Sequence, residues 1–168
     1  MRSHIVIESP VGPLTLVAQD SALVGLYMDL QRHRPDDEDL GEDEPAGRQA
    51  EPFKNAADQL DAYFTGSLTR FTLPLAPRGS EFQRRVWAAL LKIPYGETES
   101  YGELAARIGS PGAARAVGLA NGKNPIGIVI PCHRVVGSNG SLTGYGGGLD
   151  RKKQLLELEL AVCGMALF

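Results

Sequence analysis

Cysteine is almost missing from this sequence. Cys132 and Cys163 are the only two in 168 residues, too few for a disulfide framework or a cysteine-rich zinc site. Histidine is nearly as scarce, at three. Neither His4, in the first apolar run, nor His33, in an acidic stretch, has a ligand partner at useful spacing, so no metal site is expected. No apolar run approaches the roughly 20 residues of a membrane span. The opening "MRSHIVIESPVG" lacks the longer apolar region and small-residue cleavage site of a secretory leader, so a cytoplasmic protein is expected. Strong net charge is absent too, at −3, and 43% hydrophobic with 22% charged residues fits an ordinary globular chain.

That small charge conceals an asymmetry. Residues 1–50 carry four Lys/Arg and ten Asp/Glu, whereas residues 81–168 carry ten basic and seven acidic. A basic half beside an acidic half hints at a polyanionic partner for the former.

Residues 4–30 read as β structure: "HIVIE" and "LTLVAQ" flank the turn signal "SPVGP", and "ALVGLYMDL" supplies a third strand. Residues 31–52, with three basic and eight acidic side chains, read as a flexible acidic loop. Residues 53–65 have helical period, with Phe53, Ala56, Ala57, Leu60 and Phe64 on one face. "LPLAPRG" then reads as a linker, which divides the chain into an N-terminal domain, 1–77, and a C-terminal domain, 78–168.

The C-terminal part is punctuated by caps. Ser80 with Gln83, and Ser100 with Glu103, are capping boxes, and Gly109 ends the second of these helices. Ser110 is placed to cap a third, with Pro111 at its first position, running to about Asn121. Two short helices joined by a turn make a helix-turn-helix pattern. The second is rich in small residues, among them Ala114, Ala116 and Gly118. Such a stripe suits tight packing against another helix or close approach to DNA, with Arg115 as its one long side chain.

The sharpest local feature is "IVIPCHRVV". A thiol, an imidazole and a guanidinium stand in sequence at the end of a β-branched apolar run. Cys132 is a candidate nucleophile, since a neighbouring base makes a thiolate accessible near neutral pH; a metal ligand and a buried structural cysteine are the alternatives. Neighbours on a strand point to opposite faces, so His133 acts directly only if the chain turns here, and Pro131 makes a break plausible; otherwise a water relays the proton. Helical geometry supplies a third member. In "LDRKKQLLELEL", Glu159 shares the apolar face of Leu155 and Leu156, where a carboxylate requires a partner, whereas Glu157 can reach Lys153. Between these segments lies "GSNGSLTGYGGG", with six glycines and one aromatic, Tyr145. It lacks the Gly-Lys-Ser/Thr ending of a phosphate loop and fits a wall over a pocket.

Together, "IPCHRV" after "NP", "SYGELA", "AARAVG" and "GYGGG" resemble the O6-alkylguanine-DNA alkyltransferase family, strongly from about Phe82 to Glu159 and more loosely over residues 1–75. The resemblance implies an N-terminal α/β domain with an antiparallel, ribonuclease H-like sheet and a mostly helical C-terminal domain with a helix-turn-helix. It implies stoichiometric transfer of an alkyl group from guanine O6 in double-stranded DNA to Cys132, without a cofactor. In that reading His133 deprotonates Cys132 through a water, Glu159 orients His133, and Asn124 stabilises the turn that presents the thiol. Tyr101 donates a hydrogen bond to the guanine. Arg115 enters the space left by the extruded nucleotide, with Tyr101, Ala114, Ala116, Gly118 and Asn121 at the DNA surface. Tyr145 and the backbone near Val135 and Gly146 hold the base. The chain is expected to be monomeric, with cooperative assembly on DNA and activity on O4-alkylthymine left open. The family's N-terminal zinc site is not expected, since no cysteine precedes Cys132. The rival readings are a non-catalytic helix-turn-helix regulator, which would not need Cys132, and a Cys-His hydrolase, which would turn over.

Overall fold

The fold is described from a computed structural model, which describes residues 1–165. The chain opens as a meander of β1 (Arg2–Ile7), β2 (Leu14–Gln19) and β3 (Ala22–Met28). Both pairings are antiparallel, with Ile5 opposite Leu16 and Leu16 opposite Leu26. The β1–β2 turn is closed by Ser9, whose hydroxyl accepts from Val11 N and donates to the Gly12 carbonyl.

Alternation along the strands gives the sheet two buried faces. Leu14, Leu16, Leu26 and Met28 belong to the main core with Phe53, Ala56, Ala57 and Leu60 of α1 (Phe53–Phe64). The fifth inward residue of α1 on this stripe is Tyr63, fully buried; Phe64, expected there, is only partly covered. Val17, Val24 and Tyr27 face the other way and pack on Leu40.

That contact corrects the expectation of a flexible acidic loop. Residues 31–52 contain two 3-10 turns, Asp37–Leu40 and Gly47–Gln49, and a short β4 (Glu42–Asp43) that pairs parallel with β1. Composition suggested disorder, but one leucine in the acidic run caps an apolar patch and ties the segment down. The sheet order is β3-β2-β1-β4.

The second half is built on α2 (Glu81–Leu90), α3 (Tyr101–Arg107), α4 (Ala114–Gly122) and α5 (Leu149–Met165), with β5 (Glu99–Ser100) pairing parallel to β6 (Val135–Val136). Both expected capping boxes form. The start of α4 differs from the sequence reading. Ser110 does not cap it; its carbonyl accepts from Ala113 N at 2.9 Å, and the helix begins at Ala114. Proline disfavours helical geometry at Ser110 and Gly112 is a poor helix former, so the four residues close a turn instead. Trp87 Nε1 donates to the Ala120 carbonyl at 2.8 Å, pinning α2 to α4.

One continuous core runs through both halves. The free edge of β3 carries two segments of later chain: Leu23 bridges to Leu75, and Leu26 bridges to Ile126. The second bridge hangs the Cys132 segment on the N-terminal sheet. Among the described residues no helix is long and apolar enough to cross a membrane.

Candidate active site

Cys132 is delivered by a tightly tied turn. Asn124 Oδ1 accepts from Ile126 N at 3.0 Å, and its Nδ2 donates to the Ile130 carbonyl at 2.8 Å. Ile128 sits at φ 69°, an outlier for a β-branched residue; backbone held this way marks segments fixed by their surroundings. Past Pro131 the apolar run ends as one 3-10 turn, Cys132–Arg134. The chain therefore turns here, and Cys132 and His133 are not held on opposite faces as they would be on a strand. Asn121 reaches from α4 to donate to the Cys132 carbonyl at 3.3 Å.

Glu159 is the hub behind this turn. It is fully buried. Oε2 meets His133 Nε2 at 2.7 Å, the Tyr63 hydroxyl at 2.7 Å and Arg134 Nη2 at 3.0 Å. Oε1 accepts from Arg134 Nε at 2.8 Å and Gly96 N at 3.1 Å. Burial alone would raise its pKa, but the hydrogen bonds and charges of His133 and Arg134 outweigh it and hold the carboxyl at about 2. Burial lowers the pKa of His133, opposed by Glu159 and reinforced by the positive charges of Arg134 and Lys152. The imidazole is therefore neutral near pH 7. A neutral ring facing a carboxylate through Nε2 must carry its proton there. Nδ1 is left as the bare, basic nitrogen, and it has no hydrogen-bond partner among the described residues.

Burial pushes the Cys132 thiol up; Asn124, the Lys152 ammonium and Tyr145 pull against it. The resting thiol is thus protonated at neutral pH and requires a base. Lys152 is itself completely buried, donating to the Thr143 carbonyl at 2.7 Å and the Gly144 carbonyl at 3.3 Å. Burial lowers its pKa to about 8 against the thiolate's pull upward, so it is mainly cationic at pH 7.

Cys132 lies at the bottom of a cleft walled by Asn121, Asn124, Tyr145 and Gly146. The cleft continues outward past Tyr101, Gly118 and Lys123. Burial raises the pKa of Tyr145, as does the adjacent Cys132, so its phenol stays a hydrogen-bond donor. The Tyr101 hydroxyl donates to the Thr143 carbonyl at 3.2 Å, which ties α3 to the glycine-rich wall. Val135 is buried in β6 beneath this floor, its N–H returning to the Cys132 carbonyl. The Gly146 carbonyl accepts from Arg32 N at 2.8 Å.

On α4, Arg115 and Ala116 are exposed and Ala114 is half-buried. Gly118 turns toward Tyr101; a Cβ there would lie 3.7 Å from its ring. Asn121, expected at the DNA surface, is buried and belongs to the cleft wall. Leu119, which the sequence reading passed over, is 66% exposed on the outer face.

Four other participants were missed. Arg134 was read only as a neighbouring charge, yet it forms the ion pair with Glu159. Lys152 lies seven residues before Glu159, with Leu155 between them, so the helical period places all three on one stripe. Tyr63 sits three residues after Leu60 on the apolar face of α1. Gly96 gave no signal. Cys163 is half-buried, its Sγ 3.8 Å from the Tyr95 carbonyl, as a packing residue would be.

The chain matches two family descriptions, "6-O-methylguanine DNA methyltransferase, ribonuclease-like domain" over residues 3–77 and the DNA binding domain of the same family over residues 81–161. It is 58% identical to the methylated-DNA–protein-cysteine methyltransferase of Mycobacterium tuberculosis across 91% of this chain and 89% of that protein. Identity to the enzyme of the same name from Methanosarcina acetivorans is 49%, across 93% and 97%. Among solved structures, Mycobacterium tuberculosis OGT in complex with DNA superposes with a TM-score of 0.88 at 55% identity, covering 95% of this chain and 94% of that one. The ribonuclease-like sheet, the helix-turn-helix and the buried Cys132 with its His133–Glu159 support thus stand in a chain that belongs to the methylated-DNA–protein-cysteine methyltransferase family.

Proposed function

We propose that this protein repairs double-stranded DNA by moving the alkyl group of an O6-alkylguanine onto Cys132, once per molecule. The observation that carries this reading is the thiol at the floor of a cleft, beside a neutral imidazole locked through Nε2 onto an ionised, buried Glu159. A stacked guanine cannot present its O6 substituent to a buried sulfur, so the nucleotide leaves the duplex. Arg115, exposed early in α4, is placed to fill the gap, with the small residues beside it allowing close approach to a groove.

In the cleft, Nδ1 of His133 takes the thiol proton through a water, and the resulting imidazolium is balanced by Glu159. The Lys152 ammonium favours the thiolate. Sulfur attacks the alkyl carbon as the carbon–O6 bond breaks, and the electron pair passes to the guanine. Tyr101, turning its hydroxyl from the Thr143 carbonyl, donates a hydrogen bond to the base as that charge develops. The proton taken from the thiol passes back from the His133 imidazolium through water to the guanine anion, so the products are guanine and a thioether on Cys132, which has no leaving group for regeneration. The family's chemistry asks for no cofactor. We place the reaction in the cytoplasm, where thiols stay reduced.

Intact mass spectrometry after incubation with duplex DNA containing one O6-methylguanine tests the proposal. One added methyl per protein, mapped to Cys132 and not Cys163, is the expected result. Several bases repaired per protein would overturn it.

A further inference from the structure

The wall of the cleft opposite α4 comes from the other half of the molecule. Just past β3, Gln31 lines the inner cleft beside Cys132 and Tyr145, while Arg32 and His33 line its mouth beside Tyr101 and Lys123. The segment is fastened. Gln31 Oε1 accepts from Met28 N at 2.8 Å, and Arg32 N donates to the Gly146 carbonyl at 2.8 Å. His33 adopts φ 63°, a sharp turn for a residue with a side chain.

The charges are divided in a telling way. Arg34 is engaged, 3.2 Å from Asp37 Oδ1 and 3.4 Å from Thr15 Oγ1. The acidic run beyond it is anchored through Leu40 on the face of the sheet turned away from the main core. Arg32 and His33 are exposed, and among the described residues their side chains have no hydrogen-bond or ion-pair partner. The most acidic part of the chain thus presents its only unpaired basic side chains at the rim through which a nucleotide would pass.

We infer that Arg32 and His33 grip the backbone phosphate of the extruded nucleotide, so that the N-terminal half contributes directly to DNA binding. This rests on the repair reading above. The ligand chemistry follows from the donors. An exposed guanidinium and imidazole at the mouth, with Lys123 across from them, suit an anion flanking the cleft rather than the base within it. A nucleotide swung out of the stack carries its phosphate to that rim.

The test uses the full-length protein and the double variant Arg32→Ala/His33→Ala. Substrates are a duplex with one O6-methylguanine, the same duplex with uncharged methylphosphonates flanking the lesion, and free O6-benzylguanine. The variant is expected to repair the native duplex about tenfold more slowly, and its binding to have a log–log salt dependence shallower by about one. The ratio of native-duplex to free-base rate should fall accordingly. On the methylphosphonate duplex the two proteins should converge, and Arg32→Lys should recover most of the native-duplex rate. An unchanged native-duplex rate, an equal loss on the free base, or a difference that persists on methylphosphonate DNA would overturn the inference. The salt dependence is read from binding alone, so failure of the methyl transfer itself would not be mistaken for failure of the phosphate contact.

Discussion

Tyr63 and Glu159, separated by 96 residues of chain, meet in a 2.7 Å hydrogen bond inside the core. The phenol of α1 thereby shares an oxygen with the His133 imidazole. Burial and the neighbouring Glu159 carboxylate drive the Tyr63 pKa far upward, so the hydroxyl only donates. The ribonuclease-like half is in this sense part of the candidate site.

Tyr63→Phe keeps the ring against Phe71 and Tyr95 and removes one bond to a charged group. A stability loss of about 1.5–3 kcal/mol is expected, read from denaturant unfolding. Transfer to free O6-benzylguanine should slow as well, because the carboxylate loses a restraint. Wild-type values for both would remove Tyr63 from the site.

Glu159→Gln does more than disturb a hydrogen bond. It leaves Arg134, 7% exposed, as a buried charge without its counter-ion. Breaking such a pair costs about 3–5 kcal/mol. The variant should unfold at markedly lower denaturant, and its surviving folded fraction should transfer slowly, since no negative charge then balances the His133 imidazolium. A loss under 1 kcal/mol would contradict the ion pair described.

The pH dependence has a definite sign. His133 is held below its ordinary 6.5 and Glu159 at about 2 against 4.5. In both cases the unfolded chain binds a proton before the folded one does, so the stability these two groups contribute is complete above about pH 6.5 and declines as pH falls. The His133 contribution is lost first, and that of Glu159 goes between about 4.5 and 2. The rate of transfer to free O6-benzylguanine should hold down to pH 6.5 and fall only below it, as Nδ1 becomes protonated. A rate that already halves between pH 8 and 7 would mean the imidazole is not the neutral base inferred.

Arg115→Ala should separate extrusion from chemistry. Loss of the contact is expected to weaken repair of duplex DNA by about 1–3 kcal/mol, while the free base, which needs no extrusion, reports on the intact cleft. Parallel rate measurements on the two substrates decide. Equal losses would assign Arg115 to the fold instead.

How far the sequence could be read depended on what each residue answers to. Strands β1–β3, α1 and the two capping boxes follow from local period and local hydrogen bonding, and were legible. Cys132, His133 and Glu159 stood out because polar groups on apolar faces need an explanation. Arg134 and Lys152 did not, because a lysine or arginine among others reads as solvated surface until its partners are known. Tyr63 looked like core, and only the fold reveals that its hydroxyl ends on a carboxylate from the other end of the chain. The acidic segment misled for the converse reason: composition averages over residues, and one leucine finding an apolar patch is enough to order its neighbours.

The bridge between Leu26 and Ile126 also bears on the order in which this protein comes into being. Chains generally fold from the N-terminus as they are synthesised, so β3 can exist as an edge before Cys132 has been added. The thiol then arrives at a ready-made docking rail. His133 follows at once, but its restraint does not come until Glu159, 26 residues later, has been made. A nascent chain therefore carries the thiol before it carries the carboxylate that ties down the neighbouring imidazole. On the chemistry proposed above, a thiol spent in a single reaction gains its support only once both halves of the fold are in place.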